Sequence, residues 1–539
     1  MTTIDNPVGA STQAQGFGSS FVIALGKWMT SSDHKKIGRL FIGCSLFTAV
    51  STSIIGAVFG FERMSPASMN IFEGDAAIQL ISLYRFDLVL GLLAPLFLGI
   101  ALAIVPLQLG SRAIAFPRLA QLSFWSWLFG SLMVAIAIIG NGGPGGGQAD
   151  LVDLYLLGVG LAAAGILAGS LSVATSVLTA RAPGMTLDIV PAFSWGALVG
   201  SVASLLTLPV AIGTIIYLYV DNTHAKVAFG GSKAIDDHLG WVFGQPMTIV
   251  FIVIALGVLA DIAPVTAGVR QPQRPVVLAG LGLVTTAVLG AATQSAHMLN
   301  WSGATSDTVK SAIPFLIFNG LPLLGIFVVI ATSLLSLKFG SPKVSGAFAF
   351  ASLGAFMILV GAAGNFVAHI QQANLAGTAF TEGVTVYFVF GGLLVGLGAL
   401  AHWSPKLWGR VLDEKALLGL SALGLLGTIA SSFPLFIAGF ANQPVDVVNG
   451  FDYDGPIALW NGLAGIGNIL ILVTVIGFVA LLLAAIRNGA QASDDPWNGH
   501  SLEWAIPSPA PLNNFEALAH VNSSEPVLDA KPSGKEVTV

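Results

Sequence analysis

Long apolar runs alternate along this chain with short polar stretches, and each run is about the length of a membrane crossing. A crossing helix needs about 20 apolar residues to span roughly 30 Å of hydrocarbon. Twelve such runs are present, at 38–60, 80–107, 121–141, 151–178, 189–218, 239–263, 275–299, 311–337, 345–368, 379–402, 415–441 and 457–486. They are predicted to be helices, because a backbone facing lipid has no water to satisfy its N–H and C=O groups. The runs are also too long and too uniformly apolar for barrel strands. The fold class expected is an all-α integral membrane protein with one twelve-helix domain over residues 31–516. Residues 1–30 and 517–539 are rich in small polar residues, glycine and proline, show little apolar periodicity, and are expected to be disordered cytoplasmic extensions.

Lysine and arginine orient the bundle, since cytoplasmic loops retain them. Lys35, Lys36, Arg39, Arg112, Arg118, Arg181, Arg270, Arg274, Lys338, Lys343, Lys406, Arg410 and Arg487 all fall on the side of the N-terminus. Only Arg63, Arg85, Lys226, Lys233 and Lys310 lie on the other side or within the second run. Both termini are therefore expected in the cytoplasm, with the chain in a bacterial cytoplasmic membrane. No basic stretch with a short apolar core precedes the first run, so that run is expected to direct insertion itself.

Composition narrows the function classes. Charged residues make up 9% of the chain, against about 25% in soluble domains. The net charge of -5 leaves no basic surface for nucleic acid. A single cysteine, Cys44, excludes an intrachain disulfide and a thiolate cluster.

Three stretches resemble the heme-copper oxidase subunit I family. Asp33-His34-Lys35-Lys36-Ile37-Gly38 precedes the first run, and Pro106-Leu107-Gln108-Leu109-Gly110 with Ala115-Phe116-Pro117-Arg118-Leu119 follows the second. After the last run come Asp495-Pro496-Trp497, Leu502-Glu503-Trp504, Pro507-Ser508-Pro509 and Asn514-Phe515. The resemblance implies the cytochrome c oxidase subunit I-like fold of twelve helices, with redox centres among spans 2, 6, 7 and 10.

At those centres the sequence departs from the family. The low-spin heme ligand of span 2 maps to Tyr84, and the two histidines of span 10 map to Val384 and Val386, which have no lone pair to give iron. The GHPEVY segment of span 6 reads Gly244-Gln245-Pro246-Met247-Thr248-Ile249, so Gln245, Met247 and Ile249 stand where the family has a copper-ligand histidine, a proton-handling glutamate and a tyrosine. The histidine pair of span 7 reads Ala296-His297, leaving His297 as the one matched copper-ligand position, and one imidazole is not a copper site. The His-Asp pair before span 10 maps to Ala376-Gly377, the propionate-holding arginines map to Val445-Asp446, and a proton-path aspartate maps to Ala113. No metal and no cofactor is expected, and heme stays open only through unfamiliar ligands.

Charges within spans are costly and so usually have partners or functions. Arg85 and Asp87 lie in span 2 and Glu382 in span 10. Glu382 stands four residues before Val386, on the same helix face. One expectation is an Arg85–Glu382 ion pair filling part of the low-spin heme volume; the other is that each side chain reaches the membrane interface independently. The volume around Val384, Val386, Gln245 and Ala296 is expected to be closed by apolar side chains, since a large dry void destabilises a bundle. Three functions follow. The first is a cofactor-free structural subunit that docks subunit II-like or cytochrome proteins in a respiratory-type complex, because the loops that carry the resemblance survive while the chemistry does not. The second is a terminal oxidase subunit with atypical heme ligation. The third is a path for protons or a small solute, lined by Arg85, Asp87, Gln245, Thr248, Glu382 and Thr385.

Overall fold

The computed structural model describes residues 26, 30–65, 75–224, 228–293, 297–448, 451, 455–517 and 520–531. The expectation for residues 1–30 falls almost wholly outside them, as does Ala296. Twelve helices long and apolar enough to cross a membrane are present among the described residues. They are α1 (His34–Glu62), α2 (Ala76–Gln108), α3 (Pro117–Ile139), α4 (Ala149–Thr179), α5 (Ala192–Thr223), α6 (Met247–Ala267, led in by short turns from Gly231), α7 (Arg274–Ala291), α8 (Thr305–Phe339), α9 (Gly346–Ala368), α10 (Ala379–Trp408), α11 (Glu414–Phe440) and α12 (Ile457–Asn488).

Side-chain caps set several of the starts. Asp33 accepts from Lys35 N at 3.1 Å, Ser345 from Phe348 N at 3.2 Å and Asp413 from Ala416 N at 2.8 Å, each satisfying an orphan donor of the first turn. Consecutive helices run antiparallel and pack pairwise, and α1 rests on both α2 and α12, so the last helix closes on the first. Close approach is set by glycine: a Cβ on Gly354 of α9 would lie 2.5 Å from Gly391 O of α10, and one on Gly467 of α12 would lie 2.1 Å from Ser431 N of α11.

Three helices occupy the centre. Within its most apolar stretch α2 is 100% buried, α10 is 94% and α6 is 89%, against 28–61% for the other nine. The central helices are three of the four in which the resemblance expects the redox centres; α7, 44% buried, is the fourth. α2 also widens into a π-helical turn over Asp87–Leu93, an irregularity that often marks a functional site.

Two expectations fail at the ends of elements. The seventh apolar run extends to residue 299, yet the helix stops earlier: His297 has φ 47°, and Leu299 leaves to exchange backbone hydrogen bonds with His369 and Gln371, both at 2.9 Å. The tail from 517 is not all disordered. Residues 520–531 fold back on the face where the N-terminus enters, burying Val521, Glu525 and Val527 and forming a short turn at Pro526–Ala530. Lys531 Nζ reaches Asp495 at 2.7 Å, and Arg270 reaches Asp529. Two valines bury enough surface only against other helices, which periodicity within the segment cannot register.

The stretches that carry the family resemblance meet on that same face. His34 donates through Nδ1 to Leu102 O at 2.9 Å and receives Asn514 Nδ2 at Nε2, 3.0 Å. Lys35 Nζ donates to Asn514 Oδ1 at 2.9 Å, and Asn514 Nδ2 also donates to Ser111 O at 2.9 Å. Gln108 Nε2 donates to Glu503 at 3.1 Å and to Asp261 at 2.8 Å, while Ser194 donates to Gln108 Oε1 at 2.7 Å. All three stretches are thus tied together through buried hydrogen bonds, one set centred on Asn514 and one on Gln108.

Candidate functional site

The far ends of the central helices enclose a cavity of about 490 Å³ on the face opposite the N-terminus. One wall comes from the end of α1 and the start of α2, carrying Phe59, Arg63, Tyr84 and Arg85. A second comes from the lead-in to α6, with Asp237, Trp241, Gln245 and Ile249. The third combines His297, Asn319 and His369 with Glu382 and Thr385 of α10 and Asp446 beyond α11. The expected apolar closure around Gln245 therefore does not occur. Thr385 Oγ1 donates weakly to Gln245 Oε1 at 3.4 Å, and Gln245 Nε2 has no partner.

The ion pair at this site is not the expected one. Arg63 Nη1 donates to both oxygens of Glu382, at 3.0 and 2.9 Å, and its Nε donates to Val447 O at 2.9 Å. Arg85 turns instead to Asp446, at 2.6 Å, and to Asp236, at 3.5 Å. The reason is angular: successive helix residues are roughly 100° apart, so Arg85 projects away from the α1–α10 side that Tyr84 faces. Sequence reasoning placed Arg63 at the far membrane edge and missed it as a partner, although an arginine directly after an apolar run was a usable signal. Asp446 is held up at about 6 by burial, against the opposing pull of Arg85.

The remaining predicted positions divide. Tyr84 is buried and meets Phe59 edge-on, with centroids 5.6 Å apart. Val384 and Val386 are buried, and the neighbouring α10–α11 space is filled by Phe380 stacked on Phe436 at 4.2 Å and by Tyr387 at 5.1 Å from the same ring. Met247 faces α5, where Thr207 Oγ1 lies 3.9 Å from its sulfur. Of the six residues expected to line a path, Arg85, Gln245, Glu382 and Thr385 do so. Asp87 is turned toward α1, taking Ser51 Oγ at 3.3 Å, and Thr248 is fully buried away from the cavity. His297 lies against Phe318 at 4.2 Å, and His369 donates through Nδ1 to Asn365 O at 2.8 Å. Burial lowers the pKa of both imidazoles and so favours their neutral forms.

These side chains do not fit the groups the family holds. A bis-imidazole heme needs two nitrogen donors, and the three positions concerned offer a phenol and two alkyl groups. Among the described residues no group of three or more His, Cys, Asp or Glu side chains is arranged to hold a metal ion.

Toward the N-terminal face the cavity is bounded on α6 and α10 by apolar side chains. On α6 the chain from Val250 to Ala260 is apolar and buried, about 17 Å of helix at 1.5 Å per residue. On α10 the stretch from Val386 to Ala401 carries no charged or hydrogen-bonding side chain except the ring hydroxyl of Tyr387, and its side chains are buried as well. Beyond this slab, on the N-terminal face, lies a second polar cluster around a cavity of about 30 Å³ lined by Asp261, Gln271, His402, His500, Glu503 and Glu525. Burial raises Glu503 and Glu525 and lowers His500 to about 4. Asp261 near the end of an apolar run was the signal for this cluster that sequence reasoning passed over.

Fold and site together define a polytopic helical membrane protein with three buried central helices around a polar cavity. The chain belongs to the Cytochrome C and Quinol oxidase polypeptide I family, whose model matches residues 36–488. It is 28% identical to the "Probable cytochrome c oxidase subunit 1-alpha" of Streptomyces coelicolor, with 98% of this chain and 95% of that protein covered. It is 26% identical to "Cytochrome c oxidase subunit 1" of Bacillus subtilis, covering 95% and 84%. With "Cytochrome c oxidase subunit 1" of Corynebacterium efficiens it shares 27% identity, covering 93% and 88%.

Proposed function

We propose that this chain is a cofactor-free homologue of cytochrome c oxidase subunit I, a structural subunit that docks other proteins within a respiratory-type membrane complex. The observation that carries this reading is the contrast between its two ends. At the positions the resemblance assigns to heme ligands, Tyr84 packs on Phe59, and Val384 and Val386 are buried on the helix that carries Phe380 and Tyr387 against Phe436. On the opposite face the stretches that carry the resemblance are held by two sets of buried hydrogen bonds, one on Asn514 and one on Gln108. The relatives are named as subunits, which supports an assembled state for this chain too. Subunit II-like or cytochrome proteins are the partners it would hold, with both termini in the cytoplasm of a bacterial cell.

Purification of the full chain from its native membranes under mild detergent tests this. The expected result is stoichiometric recovery of at least one further membrane or cytochrome subunit. Recovery of the chain alone, as a stable monodisperse species, would contradict it.

The cavity favours a second reading, a small-molecule function, but the apolar slab on α6 and α10 supports binding over conduction.

A further inference from the structure

We propose that the cavity at the face opposite the N-terminus is a binding site for a small organic cation of the ammonium class. Its volume of about 490 Å³ lies within the range of about 300–1,000 Å³ typical of small-molecule sites. It reaches the surface at the exposed residue Asp237. Among the described residues α6 and α10 offer no polar route inward, so the mouth at Asp237 is the way in and out.

Charge selects the class. The only guanidinium groups at the cavity are Arg63 and Arg85, each already committed to a carboxylate, and no lysine lines it among the described residues. Against these two cations three carboxylates line the cavity, Glu382, Asp446 and Asp237, and Asp236 stands behind Arg85 as its second partner. The walls therefore carry a net negative charge in a poorly solvated space, where a cation is favoured and an anion repelled. The neutral groups point the same way. The Nδ1–H of His369 is committed to Asn365 O, which fixes the tautomer and leaves Nε2 as a bare acceptor. Phe59, Trp241, Phe243 and Phe318 supply aromatic faces that attract an organic cation through their quadrupoles. An inorganic metal ion is disfavoured, since no cluster of three ligating side chains is present among the described residues.

The full chain in lipid nanodiscs can be titrated calorimetrically with three probes of one shape: benzylammonium, benzyl alcohol and benzoate. Benzylammonium is expected to bind saturably, and at least about tenfold more tightly than benzoate, which corresponds to about 1.4 kcal/mol. Asp237→Asn, at the exposed rim, should weaken benzylammonium binding without disturbing the fold, and Trp241→Leu should do so by removing an aromatic wall. Binding should also weaken as pH falls through about 6, where Asp446 takes a proton beside Arg85, Arg63, Glu382 and Asp236. Equal or tighter binding of benzoate, indifference to both substitutions, or no saturable binding of any probe up to its solubility limit would overturn the proposal.

Discussion

Arg63 and Arg85 carry the same charge in very different surroundings. The Arg63 side chain is 4% exposed and its partner Glu382 14%, whereas Arg85 is 25% exposed and shares two aspartates. Removing one partner of a buried pair strands the other charge. Arg63→Ala should therefore lower stability by about 3 kcal/mol, while Arg85→Ala should cost about 1 kcal/mol or less, as expected of a partly solvated pair. The double variant Arg63→Ala/Glu382→Ala should recover part of the first loss. Thermal unfolding in detergent reads all three; equal losses at the two arginines would refute the assignment of the pair. The cost of a carboxylate in an apolar run pointed to Glu382 as either paired or reaching the membrane interface on its own. The sequence did not reveal which arginine pairs with it, because that depends on where Arg63 leaves α1 and on the direction in which Arg85 leaves α2.

Helices were the most legible elements, since a run of about 20 apolar residues has few other stable forms in lipid. Their central or peripheral placement was not legible from hydropathy, because lipid and protein interior both accept leucine. Glycine positions carry some of that information. A side chain at Gly354 would be driven into Gly391 O, so Gly354→Leu should force α9 and α10 apart at a cost of about 1–3 kcal/mol, visible as a lowered Tm. The tail was misread because its burial depends on two valines meeting a distant surface. Val527→Asp should release residues 520–531, and limited proteolysis should then cleave near Glu525 in the variant while sparing the parent chain. Equal cleavage of both would show that the segment is not docked.

For the molecule as a whole, the proposed reading has retained and replaced residues separate by face. Asp33, His34, Lys35, Ser111 and Asn514 form one hydrogen-bonded set and Gln108 with Glu503 a second, so their survival is explained by folding as well as by any partner. Asn514→Leu removes acceptors and donors from several members at once and should destabilise the bundle more than any single surface change. At the other face stand Tyr84, Val384 and Val386, the positions the resemblance assigns to heme ligands, and a polar cavity lined in part by Tyr84 persists there. The family resemblance was legible from three short segments, but the cavity was not, because substitutions at single positions do not show whether neighbours close the space. The central claim is that this chain keeps the oxidase fold without its redox groups. The optical spectrum of the purified full chain, with heme quantified per chain, tests that most directly. No Soret band and well under one heme per chain are predicted; a Soret band with one or more hemes per chain would contradict it.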